Sequence, residues 1–324
     1  MDTLNSPAPS PLPNPFLKFQ SRYLILGTFL IASPVVGGLY AILGEWQLLP
    51  PPSEDPISTP ILTITILTVM GFAILWVGRH KGLSVKYLFG QRVPKVSIFY
   101  SLLLVASLLL FSLGISSVSF YVLSLFFPGY VEQLLESSAL LLDVQSLYPR
   151  LYQALMLFLL VVYAPLVEEL VFRGILLQRW SVKWGVRRGL VASSVLFGAL
   201  HLNNPLGLTL FGLAMGVLYV RTCSLWVPIA CHALNNLAAV GIDWLSKLLS
   251  SGQISSEQTS TVSNVQDVWL VGLLLVAVSF PFVGWFLWHG WPKQGDPIPY
   301  LMNVGAVKGQ LQTDARQDKV DRLL

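Results

Sequence analysis

The chain has 324 residues, of which 54% are hydrophobic and only 11% charged, with a net charge of +4 and a mean hydropathy of +0.66. A soluble domain carries about a quarter charged residues on average, so the composition excludes an ordinary soluble protein and points to a polytopic membrane protein. The small positive charge requires no nucleic acid partner, because basic loops gathered on one side of a bilayer account for it.

In chain order, residues 1–22 form a lead whose run from Ser6 to Phe16 is rich in proline, which is incompatible with a helix. It is expected to be disordered and cytoplasmic. No cleavable signal peptide is expected, since the first apolar run is long enough to remain as a span. About 20 apolar residues carry a helix across ~30 Å of hydrocarbon. Eight runs qualify, with cores at 23–43, 57–77, 97–127, 150–178, 189–203, 206–220, 225–245 and 268–288. The fifth and sixth are short, and the third exceeds a simple crossing. The expected fold class is all-α, a transmembrane helical bundle of about eight spans with both ends on the same side. Its parts are the lead, N-terminal helices over 23–147, core helices over 148–246, an outer loop at 247–266, and a last helix with a tail over 267–324. No internal repeat points to an inverted-repeat transporter.

Basic residues segregate. With eight spans, 17 of the 20 fall on one face: Lys18, Arg22, Arg79, Lys81, Lys86, Arg92, Lys95, Arg179, Lys183, Arg187, Arg188, Arg221, Lys293, Lys308, Arg316, Lys319 and Arg322. That bias predicts cytoplasmic termini, in the plasma membrane. Trp46, Trp180, Trp184, Trp288 and Trp291 sit at span ends as an interfacial belt, and His80 and His289 are expected to be solvated there. Cys223 and Cys231 read as packing residues.

Chemistry concentrates in the fourth run, where Glu168 and Glu169 lie among apolar residues. Ionisable groups inside a span are costly and mark function. Arg173, four residues after Glu169, can neutralise it and leave Glu168, about 100° around the helix, facing a cavity. Later helices add Phe197 four residues before His201, and His232 followed by Asn235 and Asn236. Glu168 lies 11 residues before Arg179, His201 13 after Arg188 and His232 11 after Arg221. At ~1.5 Å per residue, one acid and two imidazoles share a layer near the bilayer middle. A His and an Asn stacked on one face can donate to an oxyanion, while Glu168 can take a proton from water and return it to a leaving amine. Each residue alone could merely bridge helices or form a buried ion pair. Their shared depth favours one site.

The ordered set Glu168-Glu169-x-x-x-Arg173, Phe197-x-x-x-His201 and His232-x-x-x-Asn236 resembles the motifs of the CPBP intramembrane protease family over roughly 150–245. That family includes type II CAAX prenyl endopeptidases and Abi-like, bacteriocin-processing proteins. The resemblance implies an intramembrane endopeptidase with Glu168 as general base, His201 as its partner, and His232 and Asn236 as the oxyanion site. Glu169, Arg173 and Phe197 would support them. There is no HExxH, GxSG or GxGD motif. Glu168, His201 and His232 also make a His₂Glu set of the composition used by catalytic zinc, although a two-histidine i,i+4 clamp is missing; zinc and a metal-free mechanism both fit. The implied substrate is a membrane-anchored or lipidated protein or peptide, prenylated or not. A non-proteolytic membrane scaffold and a proton-coupled transporter are the competing expectations.

Overall fold

The computed structural model describes residues 14–27, 33–46, 50, 55–91, 98–139, 146–250 and 262–307, and among these every regular element is helical. Helices α1 (Ser21–Gly27), α2 (Ser33–Glu45), α3 (Ser58–His80), α4 (Val85–Phe89), α5 (Ile98–Ser124) and α6 (Pro128–Ala139) come first. A long α7 (Pro149–Trp184) follows. After it come α8 (Val186–Ala199), α9 (Pro205–Thr222), α10 (Trp226–Ser250), α11 (Val262–Gly290) and α12 (Pro299–Val307).

Proline and glycine set several boundaries. Pro149 and Pro205 occupy first-turn positions, where a missing N–H costs nothing. Gly185, at φ +85°, breaks the chain between α7 and α8, a conformation glycine adopts without a Cβ penalty. Among the described residues five helices, α3, α5, α7, α9 and α11, are long and apolar enough to cross a membrane. They correspond to the runs expected at 57–77, 97–127, 150–178, 206–220 and 268–288. Of the other three, 189–203 is the 14-residue α8, too short for a simple crossing. Run 225–245 is the 25-residue α10, whose apolar character His232, Asn235, Asn236 and Asp243 dilute. Run 23–43 falls on α1 and α2, with 28–32 outside the described residues. The outer loop expected at 247–266 is shorter, because α10 continues to Ser250 and α11 starts at Val262.

Residues 14–22 depart from the expected disordered lead. Asn14 caps a short 3₁₀ turn at Pro15–Lys18 by accepting from the Phe16 N–H at 3.1 Å. Phe16 and Phe19 are buried, and Phe16 meets Tyr300 edge-on. Residues 14–22 therefore dock, while the rest of the proline-rich run lies outside the described residues. The apolar Phe16 and Phe19 outweigh the prolines before them. Residues Pro299–Val307 likewise fold back as α12. Gln178 stands at the centre of this end: its Nε2 donates to the Gly174 carbonyl at 2.8 Å and to Tyr219 Oη at 3.0 Å. Its Oε1 accepts from the Tyr300 N–H at 2.8 Å. Gly90, at φ +69°, brings α4 against Cys223, and a Cβ there would collide with the Cys223 carbonyl oxygen.

At the opposite end Asp55, 1% exposed, joins the starts of α3 and α7. Its carboxylate accepts from the Ile57 N–H at 2.8 Å, Ser146 Oγ at 2.8 Å and the Leu147 N–H at 2.7 Å.

Close packing of small residues joins the spans, as expected where lipid removes the hydrophobic drive for helix association. On α5 and α11, a Cβ at Gly114 would stand 2.6 Å from the Gly272 carbonyl oxygen, and one at Gly272 would stand 2.8 Å from that of Gly114. Tyr121 and Trp269 stack along the same seam at 4.8 Å. The long third run is thus paired with α11. Gly198, Gly212 and Gly216 do the same for α8 and α9, where added Cβ atoms would strike Thr209, Ser194 and Leu190. Trp46 and Trp288 are exposed, in keeping with an interfacial belt, whereas Trp180 is half-buried and donates to Ser21 Oγ at 3.0 Å. His80 and His289 are exposed, and Cys223 and Cys231 are buried.

Candidate active site

Two wide π-helical stretches of α7, Leu159–Tyr163 and Leu170–Leu177, flank the α-helical piece Ala164–Glu169 that carries both acids. Such stretches frequently occur at functional sites. Glu169 is fully buried, and Arg173 Nη1 donates to its Oε1 at 2.9 Å. Arg173 Nη2 donates to the Gly212 carbonyl at 3.3 Å, and its Cζ lies 4.5 Å from the centre of the Phe197 ring. The expected i,i+4 pair is therefore present and embedded between α7, α8 and α9.

The same Oε1 accepts from His232 Nδ1 at 2.9 Å, so Glu169 joins α7 to α10. With a carboxylate as partner, Nδ1 carries the proton. Glu169 Oε2 is buried without a hydrogen-bond partner. His232 Nε2 then faces Glu168, whose Oε2 lies 3.9 Å away, beyond direct hydrogen-bond reach. The Glu168 side chain is 20% exposed, and that fraction separates it from the sealed Glu169. Two adjacent carboxylates thus have unlike settings: one is bound to Arg173 and His232, the other is accessible.

Aromatic rings wall this space. Phe211 meets the His232 ring edge-on at 4.9 Å, and the Phe197 ring lies 6.0 Å from His232 and 4.5 Å from His201. His201 Nδ1 is 2.7 Å from the Phe197 carbonyl oxygen, which can only accept, leaving Nε2 as the acceptor nitrogen of a neutral ring. The turn holding His201 is fastened by Asn204, which donates to the Ser112 carbonyl at 3.0 Å and Ser112 Oγ at 2.7 Å on α5.

Asn236 Nδ2 donates to the Leu160 carbonyl at 2.8 Å, within the first π stretch. Its Oδ1 is 3.5 Å from Asn235 Nδ2. Glu168, Glu169, Arg173 and His232 are thus brought together, Phe197 stands among them and beside His201, and Asn236 reaches α7 a helical turn or more before Glu168. The double use of Glu169 by Arg173 and His232, and the parts of Phe211 and Gly212, have no signal in the sequence. Spacing relates residues along one helix, not across two. Among the described residues no group of three or more His, Cys, Asp or Glu side chains is gathered closely enough to hold a metal ion. The expected zinc donors Glu168, His201 and His232 do not converge in this arrangement.

Residues 150–238 match a protein-family model described as type II CAAX prenyl endopeptidase Rce1-like. A Bacillus subtilis (strain 168) protein named "Putative membrane peptidase YdiL" is 32% identical over 134 residues, which cover 40% of this chain and 50% of that protein. The chain thus spans about half the length of this curated relative. No solved structure matches the chain. The matched stretch contains all seven residues of the motif set, and the resemblance to the CPBP family is borne out there.

Proposed function

We propose that the chain is an intramembrane endopeptidase in which Glu168 activates water for attack on a peptide bond in or near the bilayer. The observation that carries this reading is the unlike fate of the two glutamates. Glu169 is sealed at 0% exposure with Arg173 and His232, whereas Glu168 keeps access beside His232 Nε2. The Rce1-like match over 150–238 supports it independently.

Glu168 would take a proton from water as the oxygen bonds to the scissile carbonyl carbon. His232, held at Nδ1 by Glu169, would donate from a protonated Nε2 to the developing oxyanion. Asn236 would supply a second N–H, and His201 Nε2 would accept a hydrogen bond from the attacking water. Pairing Glu169 with Arg173 limits the cost of charge inside a membrane. As the C–N bond breaks, the proton on Glu168 would pass to the leaving amine. These steps are written without a metal; zinc held by Glu168, His201 and His232 would instead polarise the carbonyl and the water.

The substrate would be a membrane-anchored or lipidated protein or peptide. The basic residues at the Gln178 end favour that face as cytoplasmic, in the plasma membrane, with both termini there.

The test is cleavage of membrane-anchored peptides, prenylated and not, by purified protein beside Glu168→Gln, with and without chelator. Wild-type cleavage that is lost in Glu168→Gln and kept with chelator is the expected result. Loss with chelator would assign a metal, and cleavage by Glu168→Gln would overturn the proposal. Failure of the wild type on every substrate would favour a membrane scaffold.

A further inference from the structure

The Leu160 carbonyl accepts from Asn236 because its own helix offers it no donor. In the π stretch Leu159–Tyr163 the Ala164 N–H bonds the Leu159 oxygen, five residues back. The next donor in that register would be residue 165, and Pro165 has no N–H. An unpaired carbonyl in a membrane helix is costly. The Asn236 side chain fills that place at 2.8 Å from α10.

An amide has a donor end and an acceptor end of nearly equal size. A carbonyl facing Asn236 accepts and cannot donate, so it turns Nδ2 toward α7 and leaves Oδ1 on the Asn235 side, 3.5 Å from Asn235 Nδ2. One Nδ2 hydrogen is used and the second stays with the donor end. An amide turned the other way would bring an acceptor to the place where an oxyanion forms.

We infer that Pro165 is a positioning residue for Asn236: by withholding its N–H it leaves the Leu160 carbonyl to set the orientation of the Asn236 amide and to tie α10 to α7. This rests on the protease reading for its catalytic consequence, while the tie itself stands without it. Restoring an N–H at 165 gives Leu160 a partner in its own helix and releases Asn236. A proline inside a helix is normally a burden, so its removal should spare stability while lowering activity, a combination that loss of a structural prop would not give.

The experiment is a double-mutant cycle with Pro165→Ala, Asn236→Ala and both together, with Pro165→Ser as a second variant that also restores the N–H. Two readouts are taken on the full chain in detergent: thermal unfolding and peptide cleavage. Pro165→Ala should lower kcat at least tenfold with KM within twofold, and should have less than a twofold effect when Asn236 is already alanine. In unfolding, Asn236→Ala should lower Tm in the wild type and leave it nearly unchanged in Pro165→Ala. Equal Tm losses in both backgrounds, or independent factors on kcat, would overturn the inference. If the wild type cleaves nothing, the protease reading falls and the unfolding cycle still decides whether Pro165 holds Asn236.

Discussion

Replacing Arg173 by methionine removes the guanidinium while keeping an unbranched apolar side chain in its place. Arg173 is 1% exposed and its partner Glu169 0%, so the variant leaves a carboxylate sealed from water with His232 as its remaining donor. Breaking a buried pair from one side costs about 3–5 kcal/mol, and the Gly212 carbonyl loses its donor in the same step. At ~1.4 kcal/mol per factor of ten, the folded-to-unfolded ratio should fall by roughly two to three and a half orders of magnitude. The companion variant Glu169→Gln/Arg173→Met removes the charge as well, and its amide oxygen can still accept from His232 Nδ1. It should recover at least half of the loss. The assay is equilibrium unfolding in mixed micelles followed by tryptophan fluorescence. A double variant as unstable as Arg173→Met alone would refute the argument that an uncompensated carboxylate causes the damage.

At Asp55, burial pushes the carboxyl upward, but donors from the Ile57 and Leu147 backbone and the Ser146 hydroxyl outweigh it and hold the group below its ordinary value of 3.8. The resulting stabilisation is present above that value and fades as pH falls through the lower folded one. Asp55→Asn should therefore unfold at a lower Tm at neutral pH, with the difference from wild type closing below about pH 4 in a pH-resolved melting series. Gly90→Ala meets both a φ of +69° and the Cys223 carbonyl. It should lower stability by more than about 1 kcal/mol, measured by the same unfolding titration. Asn204→Ala frees the His201 turn from Ser112. Cleavage should fall while the unfolding free energy drops by no more than about 2 kcal/mol.

The i,i+4 relations were open to sequence reasoning, because a helix fixes which side chains share a face: Glu169 with Arg173 and Phe197 with His201 meet as the spacing dictates. Depth counted from the basic helix ends also brought Glu168 and His232 into one layer, and their atoms stand 3.9 Å apart. What crosses between helices was hidden. Nothing in the sequence says that His232 would take the oxygen already held by Arg173, or that Asn236 would answer a carbonyl left open by Pro165. Residues 14–19 misled through composition. The prolines of the lead argue against a helix, yet Asn14 and Pro15 suit a capped turn that seats Phe16 and Phe19. Among the described residues fewer helices qualify as spans, because hydropathy rewards any apolar run, while the 14-residue α8, packed through Gly198 against α9, is short for a simple crossing.

The seam between Gly114 and Gly272 has a consequence for how the molecule is made. These residues lie 158 positions apart (272 − 114), and at about 5–20 residues per second the ribosome needs roughly 8–30 s to cover that distance. Throughout that interval α5 has entered the bilayer without the helix it is shaped to receive, its bare glycine backbone facing lipid or a chaperone. The α5 seam therefore closes only with the arrival of α11, and a truncated or stalled chain would display an open helix flank that quality-control proteases could recognise.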